Sequence, residues 1–197
     1  MPTLDLFQMY LLVMNVSSFI LHALHFIMLR TRGADVVGGG VRAFLSAAGG
    51  AAGTMLATLI WDRRTEKGNA WQHVLALTSL VIWGVIYAFI YVRPLDATTF
   101  VSKLLVRRDW LYIYVGVMSV VTLLAFGLDK WRAIKGSRRT REATLLALSV
   151  LGGSPGGLLG MLIFHHKIRS PQFAAGLPLI LVAQLLACAY LVNAGIL

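Results

Sequence analysis

The chain has 197 residues, of which 58% are hydrophobic and 13% charged, with a mean hydropathy of +0.76, and this excludes an ordinary soluble domain. Eighteen Lys and Arg against eight Asp and Glu give a formal charge of +10. These cations sit in short loops bordering apolar runs, which points to anionic membrane lipids, at roughly 1 kcal/mol per cation near the surface, and away from nucleic acid. Spanning β-strands would need about 10 residues of alternating polarity, a pattern the sequence lacks, so the fold class is all-α: a polytopic integral membrane protein.

The first apolar run, Leu6 to Leu29, opens on Asp5 and not on a basic segment, and it is longer than the roughly 7 to 15 residues of a secretory core, so it is expected to be a retained span. Asn15, Ser18, His22 and His25 step by three, four and three along it, which puts them on one face. Strongly polar groups inside a span are expensive and face protein or water. This face is therefore either a set of buried interhelical hydrogen bonds or the lining of a solute path.

The second span, Ala43 to Trp61, carries Gly49, Gly50 and Gly53, small residues that let helices approach closely in lipid. The third runs from Trp71 to Val92. The longest connector follows, residues 93–109, mixing apolar and basic side chains as a short interfacial helix would. It divides the chain into a first repeat, 1–92, the linker, 93–109, and a second repeat, 110–197.

The fourth span, Trp110 to Leu128, presents Ser119, Thr122 and Asp129 on one face. The fifth, Ala143 to Phe164, holds Gly152, Gly153, Pro155 and Gly156, and the sixth runs from Ala174 to Ile196. Trp61, Trp71, Tyr91, Trp110, Tyr112 and Trp131 fall near span ends, where amphipathic rings favour the interface. Cys188, the only cysteine, permits no internal disulfide and no thiolate cluster and is expected to pack as a small hydrophobe.

The halves resemble each other. "GGAAGTMLATLI" from Gly49 aligns without gaps on "GGSPGGLLGMLI" from Gly152, with six of twelve positions identical. At a shift of 104 residues, Asn15, Ser18, His22 and His25 fall on Ser119, Thr122, Phe126 and Asp129. The pattern predicts a duplication. If each copy crosses three times, the second starts on the opposite side, which predicts two inverted three-helix repeats and about six transmembrane helices. Straight spans also place nine cations on either side, so the positive-inside rule gives no orientation by total; only the dense Lys130 to Arg141 cluster favours a cytoplasmic amino terminus.

The segment "FGLDKWRAIKGSRRTREATLLALSVLGGSPGGLLGMLIFHHKIRSPQF" resembles the DUF1294 family of small bacterial membrane proteins, whose function is not established. The matching residues are Asp129, Lys130, Ala133, Arg139, Glu142, Gly152, Gly153, Gly156, His166, Lys167 and Phe173. The resemblance covers roughly residues 112–191 and implies a bacterial cytoplasmic (inner) membrane location. It implies no activity. The family usually has one such unit; here a degenerate copy precedes it, in which His25 and Phe26 stand for Asp129 and Lys130.

Two uses of these residues are open. A small transporter or channel would line a polar path with Asn15, Ser18, His22, His25, Ser119, Thr122 and Asp129. An anionic head-group site would use Lys130, Arg139, Arg141, His166 and Lys167, with phosphate held by the cations; a partner subunit without a site of its own is a third reading. No nucleophile motif supports catalysis, no cofactor is implied, and adjacent His165 and His166 point about 100° apart on a helix, which disfavours a metal site. In straight spans, Asp129 and His166 lie about 30 Å apart. Pro155 removes a backbone donor and clashes with the Leu151 carbonyl if the helix continues, so the fifth span is either a kinked packing helix or a broken one that lets them meet.

Overall fold

The computed structural model describes residues 4–32, 37–61, 70–104, 108–138 and 140–197. Among these no strand occurs, and six helical segments are long and apolar enough to cross a membrane: Leu6–Thr31, Gly39–Trp61, Trp71–Tyr91, Asp109–Ile134, Glu142–Ile163 and Gln172–Ala194. The chain is thus a helical, multi-pass membrane-type protein. Its contacts divide it into two compact units, Met1–Trp83 and Gly84–Leu197.

The second unit shows the main departure from straight spans. Helix α6 (Asp109–Ile134) is continuous, but the segment after it consists of α7 (Glu142–Leu148), a wide turn at Ser149–Gly153, and α8 (Ser154–Ile163). In that turn Gly152 has φ +107° and ψ −3°, a conformation that L side chains rarely adopt, and the chain reverses. Helix α8 then runs beside α6 in the same direction: Gly153 lies against Met118 and Thr122, Gly156 against Ser119, Gly160 against Leu123 and Phe126, and the Phe164 ring against Gly127. A straight helix over 142–163 would hold its ends roughly 30 Å apart. Instead Lys167 Nζ, just past α8, lies 3.3 Å from Glu142 Oε1 at the start of α7. The arms of this hairpin have seven and ten residues, or roughly 10 and 15 Å, the longer about half the thickness of a hydrocarbon core.

The first unit repeats the device within α1 (Leu6–Arg32), α2 (Gly39–Leu45), a turn at Ser46–Gly50 and α3 (Ala51–Trp61). Gly49 has φ +113° and ψ −5°. Gly50 packs on Met14 and Ser18, and Gly53 on the main chain of Asn15 and Phe19.

Backbone groups exposed by a turn at membrane depth must find partners inside the protein. In the first unit Trp83 Nε1, from α4 (Ala70–Tyr91), donates to Ala47 O at 2.8 Å. Tyr10 Oη donates to Ala48 O at 2.5 Å. Asn15 Nδ2 donates to Gly49 O at 2.9 Å, while its Oδ1 accepts from Gly53 N at 2.9 Å. In the second unit Gln184 Nε2, on α10 (Gly176–Ala194), donates to Ser149 O and Val150 O at 2.8 Å each. Tyr114 Oη donates to Leu151 O at 2.6 Å.

Of the two readings of the fifth span, the broken one holds. Pro155 does not break the helix: the break is at Gly152, and the proline sits in the first turn of α8, where a missing N–H is no loss. Gly49 makes the same turn in the first unit, without a proline. The inverted-repeat arrangement is not confirmed: it counts three straight crossings per unit, and one element of each unit folds back. We expect Gly49→Ala and Gly152→Ala each to cost about 1–3 kcal/mol, with the added Cβ 3.2 Å from Leu11 Cδ2 or 3.1 Å from Tyr114 Cε1. Unfolding in mixed micelles checks this, and equal stability to the parent chain would contradict the positive-φ turn.

The connector contains the expected short helix, α5 (Ala97–Leu104). Lys103 Nζ donates to Asn193 O at 2.7 Å, Arg93 Nη1 to Ala194 O at 2.9 Å and Arg108 Nη2 to Leu197 O at 2.8 Å. These cations meet the end of α10, where unpaired carbonyls concentrate negative charge.

Candidate functional site

The polar motif of the second unit converges at the open end of its hairpin. Asp129, one turn before the end of α6, is wholly buried. Its Oδ1 accepts from Thr140 N at 2.8 Å, and its Oδ2 faces His166 Nε2 at 2.9 Å and Lys167 Nζ at 3.6 Å. Lys167 also bonds Glu142 Oε1 at 3.3 Å, and Gln172 Nε2, on the short helix α9 (Pro171–Ala174), donates to Glu142 Oε2. One acid from α6, one from α7 and a histidine and lysine after α8 thus clasp the two arms to the helix they pack on.

Local backbone geometry aims this clasp. His165 and Lys167 have φ of +46° and +60°, the left-handed region that costs non-glycine residues of order 1 kcal/mol each. The two reversals flank His166 and let consecutive side chains, His166 and Lys167, reach the same carboxylate, which a helix would forbid. Below them Phe173 is fully buried, meets Phe126 edge to face at 5.6 Å and supports Lys167 Nζ 4.6 Å from its ring centre.

The remaining expected path residues each pack within their own unit. Ser119 and Thr122 lie under Gly156 and Gly153 of α8, and Thr122 Oγ1 donates to Met118 O at 2.8 Å. In the first unit Ser18 and Thr54 hydroxyls share a hydrogen bond of 2.7 Å, and His22 Nδ1 donates to Ser18 O at 2.9 Å. His25 is buried with its ring 5.4 Å from Phe26. Each polar face is the seat of its own unit's hairpin.

The expected head-group set is divided. His166 and Lys167 turn inward to the clasp, Lys130 is half-buried and Arg141 exposed, and Arg139 lies outside the described residues. Among the described residues no three His, Cys, Asp or Glu side chains converge as a metal site would require.

Sequence reasoning missed Gln184, Tyr114, Tyr10 and Trp83, which satisfy the turns, and Arg42, which is buried and donates to Gln72 Oε1 at 3.4 Å. Gln184 had a signal: an amide in the middle of an apolar run needs a partner. Tyr10 and Tyr114 share the 104-residue shift of the first helices.

No solved structure matches the chain. A protein of Bacillus subtilis (strain 168), the uncharacterized protein YsdA, is 31% identical over 71 residues, covering 36% of this chain and 80% of that protein. Residues 119–173 match the family described as a protein of unknown function, DUF1294, and they run from the α6 seat of the hairpin through both its arms to Phe173. With that relative matched over most of its own length, the chain belongs, through its second half, to the DUF1294 family.

Proposed function

We propose that the chain is a small transport protein of the bacterial cytoplasmic membrane, held closed, whose moving part is the hairpin of the second unit and whose coupling ion is a proton. The observation that carries this reading is Asp129: an acid without solvent exposure in a membrane helix, joined to His166 and Lys167 across the mouth of a hairpin that reaches half-way into the core. Ionisable groups buried within transmembrane segments are expensive to keep and commonly mark ion or proton pathways, and Asp129 lies in the last turns of such a segment. Half-crossing helices whose ends meet near the midplane are a recurrent way of placing polar backbone in a transport route.

In this reading the polar groups facing Asp129 set its state: Lys167 and His166 after α8, with Glu142 of α7 sharing the lysine. Protonation of the carboxylate removes its pull on Lys167, changes its hydrogen bond with His166 and frees the hairpin arms. The polar face of Ser119 and Thr122 then becomes the lining of the opened path. In proteoliposomes with an imposed pH gradient and an internal pH dye, the parent chain should dissipate the gradient, and Asp129→Asn should reduce the rate about tenfold or more. Equal rates in both would sink the reading.

The two units have the marks of a common ancestor. Tyr10 and Tyr114 bond the turn carbonyls Ala48 O and Leu151 O. The turns themselves fall on Gly49 and Gly152, and the close approaches pair Gly50 and Gly53 with Gly153 and Gly156. These correspondences support an internal repeat in which the first copy kept the hairpin and changed the clasp, with His25 where the second has Asp129.

A further inference from the structure

The fold-back of α7 and α8 changes which charges share a side. With straight spans the cations of the second unit divide evenly: Lys130, Arg132, Lys135, Arg138, Arg139 and Arg141 at one end, and Arg93, Lys103, Arg107, Arg108, Lys167 and Arg169 at the other. The hairpin returns Lys167 and Arg169 to the end that holds Lys130–Arg141, as the Lys167–Asp129 and Lys167–Glu142 pairs require. Among the described residues of this unit, the mouth end then has seven cations, Lys130, Arg132, Lys135, Arg138, Arg141, Lys167 and Arg169, against three, Arg93, Lys103 and Arg108, at the other.

The kind of charge differs as well as the number. At the far end the three cations are engaged with Asn193, Ala194 and Leu197 carbonyls. At the mouth, Arg132, Lys135, Arg138, Arg141 and Arg169 are exposed, while the acids of that end, Asp129 and Glu142, are turned into the clasp. What remains is a positive rim around the hairpin mouth. Trp131 is exposed beside it, with Lys135 Nζ 4.2 Å over its ring, the pairing of aromatic and cation found at the head-group level.

We propose that this rim is a binding surface for anionic phospholipid head groups of the cytoplasmic leaflet, and that the second hairpin therefore opens toward the cytoplasm. Short loops rich in Lys and Arg are retained on the cytoplasmic side, and that leaflet supplies the negative surface potential which attracts them. The inference rests on the fold-back and the charge placement, and it holds or fails separately from proton-linked transport.

Sidedness is tested in the full chain carrying Cys188→Ser, with a single cysteine introduced at exposed Ser137 near the mouth or at exposed Leu95 at the far end. A membrane-impermeant maleimide should label Ser137→Cys in inverted vesicles and not in intact spheroplasts, with the reverse for Leu95→Cys. Labelling of Ser137→Cys in intact spheroplasts overturns the orientation. Lipid binding is read by native mass spectrometry from mixed micelles of phosphatidylglycerol and phosphatidylcholine. The parent chain should retain phosphatidylglycerol preferentially, and the triple variant Arg132→Gln, Arg138→Gln, Arg141→Gln should lose at least about tenfold of that preference. Equal retention of both lipids by the parent chain, or an unchanged preference in the triple variant, overturns the head-group surface.

Discussion

Asp129→Ala should destabilise the second unit by about 3–5 kcal/mol, the range for removing one partner from a buried ion pair. The loss is large because the surviving groups stay where they were. Lys167 and His166 are about seven-eighths buried, so little water replaces the lost carboxylate. Thr140 N loses its acceptor too. Unfolding by sodium dodecyl sulfate in mixed micelles gives the number, and a loss under about 1 kcal/mol would mean the clasp is a surface pair in all but appearance. A double-mutant cycle with Lys167→Met separates pairing from packing. The double variant should lose less than the sum of the two singles, by about 1–3 kcal/mol, because the second substitution removes the cation that the first leaves stranded.

Gly156→Ala should be about as damaging, at roughly 3 kcal/mol or more, the upper range for overpacking. A Cβ there overlaps the Ser119 main-chain carbonyl, and neither backbone can swing aside as a long side chain does. Helix α8 has to lift from α6, which also withdraws Phe164 from Gly127 and pulls His166 from Asp129. The same substitution at Gly53 meets the Asn15 carbonyl and should damage the first unit likewise. By contrast Gly116→Ala, with open space around its Cβ position, should leave stability within about 0.5 kcal/mol. Comparable losses at Gly116 and Gly156 would remove the close approach as the explanation.

Much of this was legible in the residues. Hydropathy and the placement of aromatic rings located six apolar segments, and the step of three, four and three along α1 marked the face on which its hairpin sits. The glycines were recognised as packing positions, and for Gly50, Gly53, Gly153 and Gly156 that is their role. What hydropathy does not encode is direction. Glu142–Ile163 is as apolar and as long as a crossing helix, and whether it crosses or turns back depends on one φ angle at Gly152 and on partners far away in sequence, Tyr114 and Gln184. Pro155 stands out as a breaker only when the segment is read as one helix; with two helices it is an ordinary first-turn residue. The Asp129, His166, Lys167 and Glu142 set was visible as a motif, but its assembly follows only from the reversal.

The glutamine on α10 also bears on how the protein comes to be made. A segment like 142–163 leaves the ribosome apolar enough to enter the bilayer as an ordinary span, with Tyr114 already synthesised to receive one carbonyl of the turn. Ser149 O and Val150 O have their side-chain donor on Gln184, some thirty residues downstream, and until that helix is inserted they lack it in hydrocarbon. The turn therefore gains this donor only after α10 enters, and a chain truncated before Gln184 should hold the reversal less firmly than the finished protein.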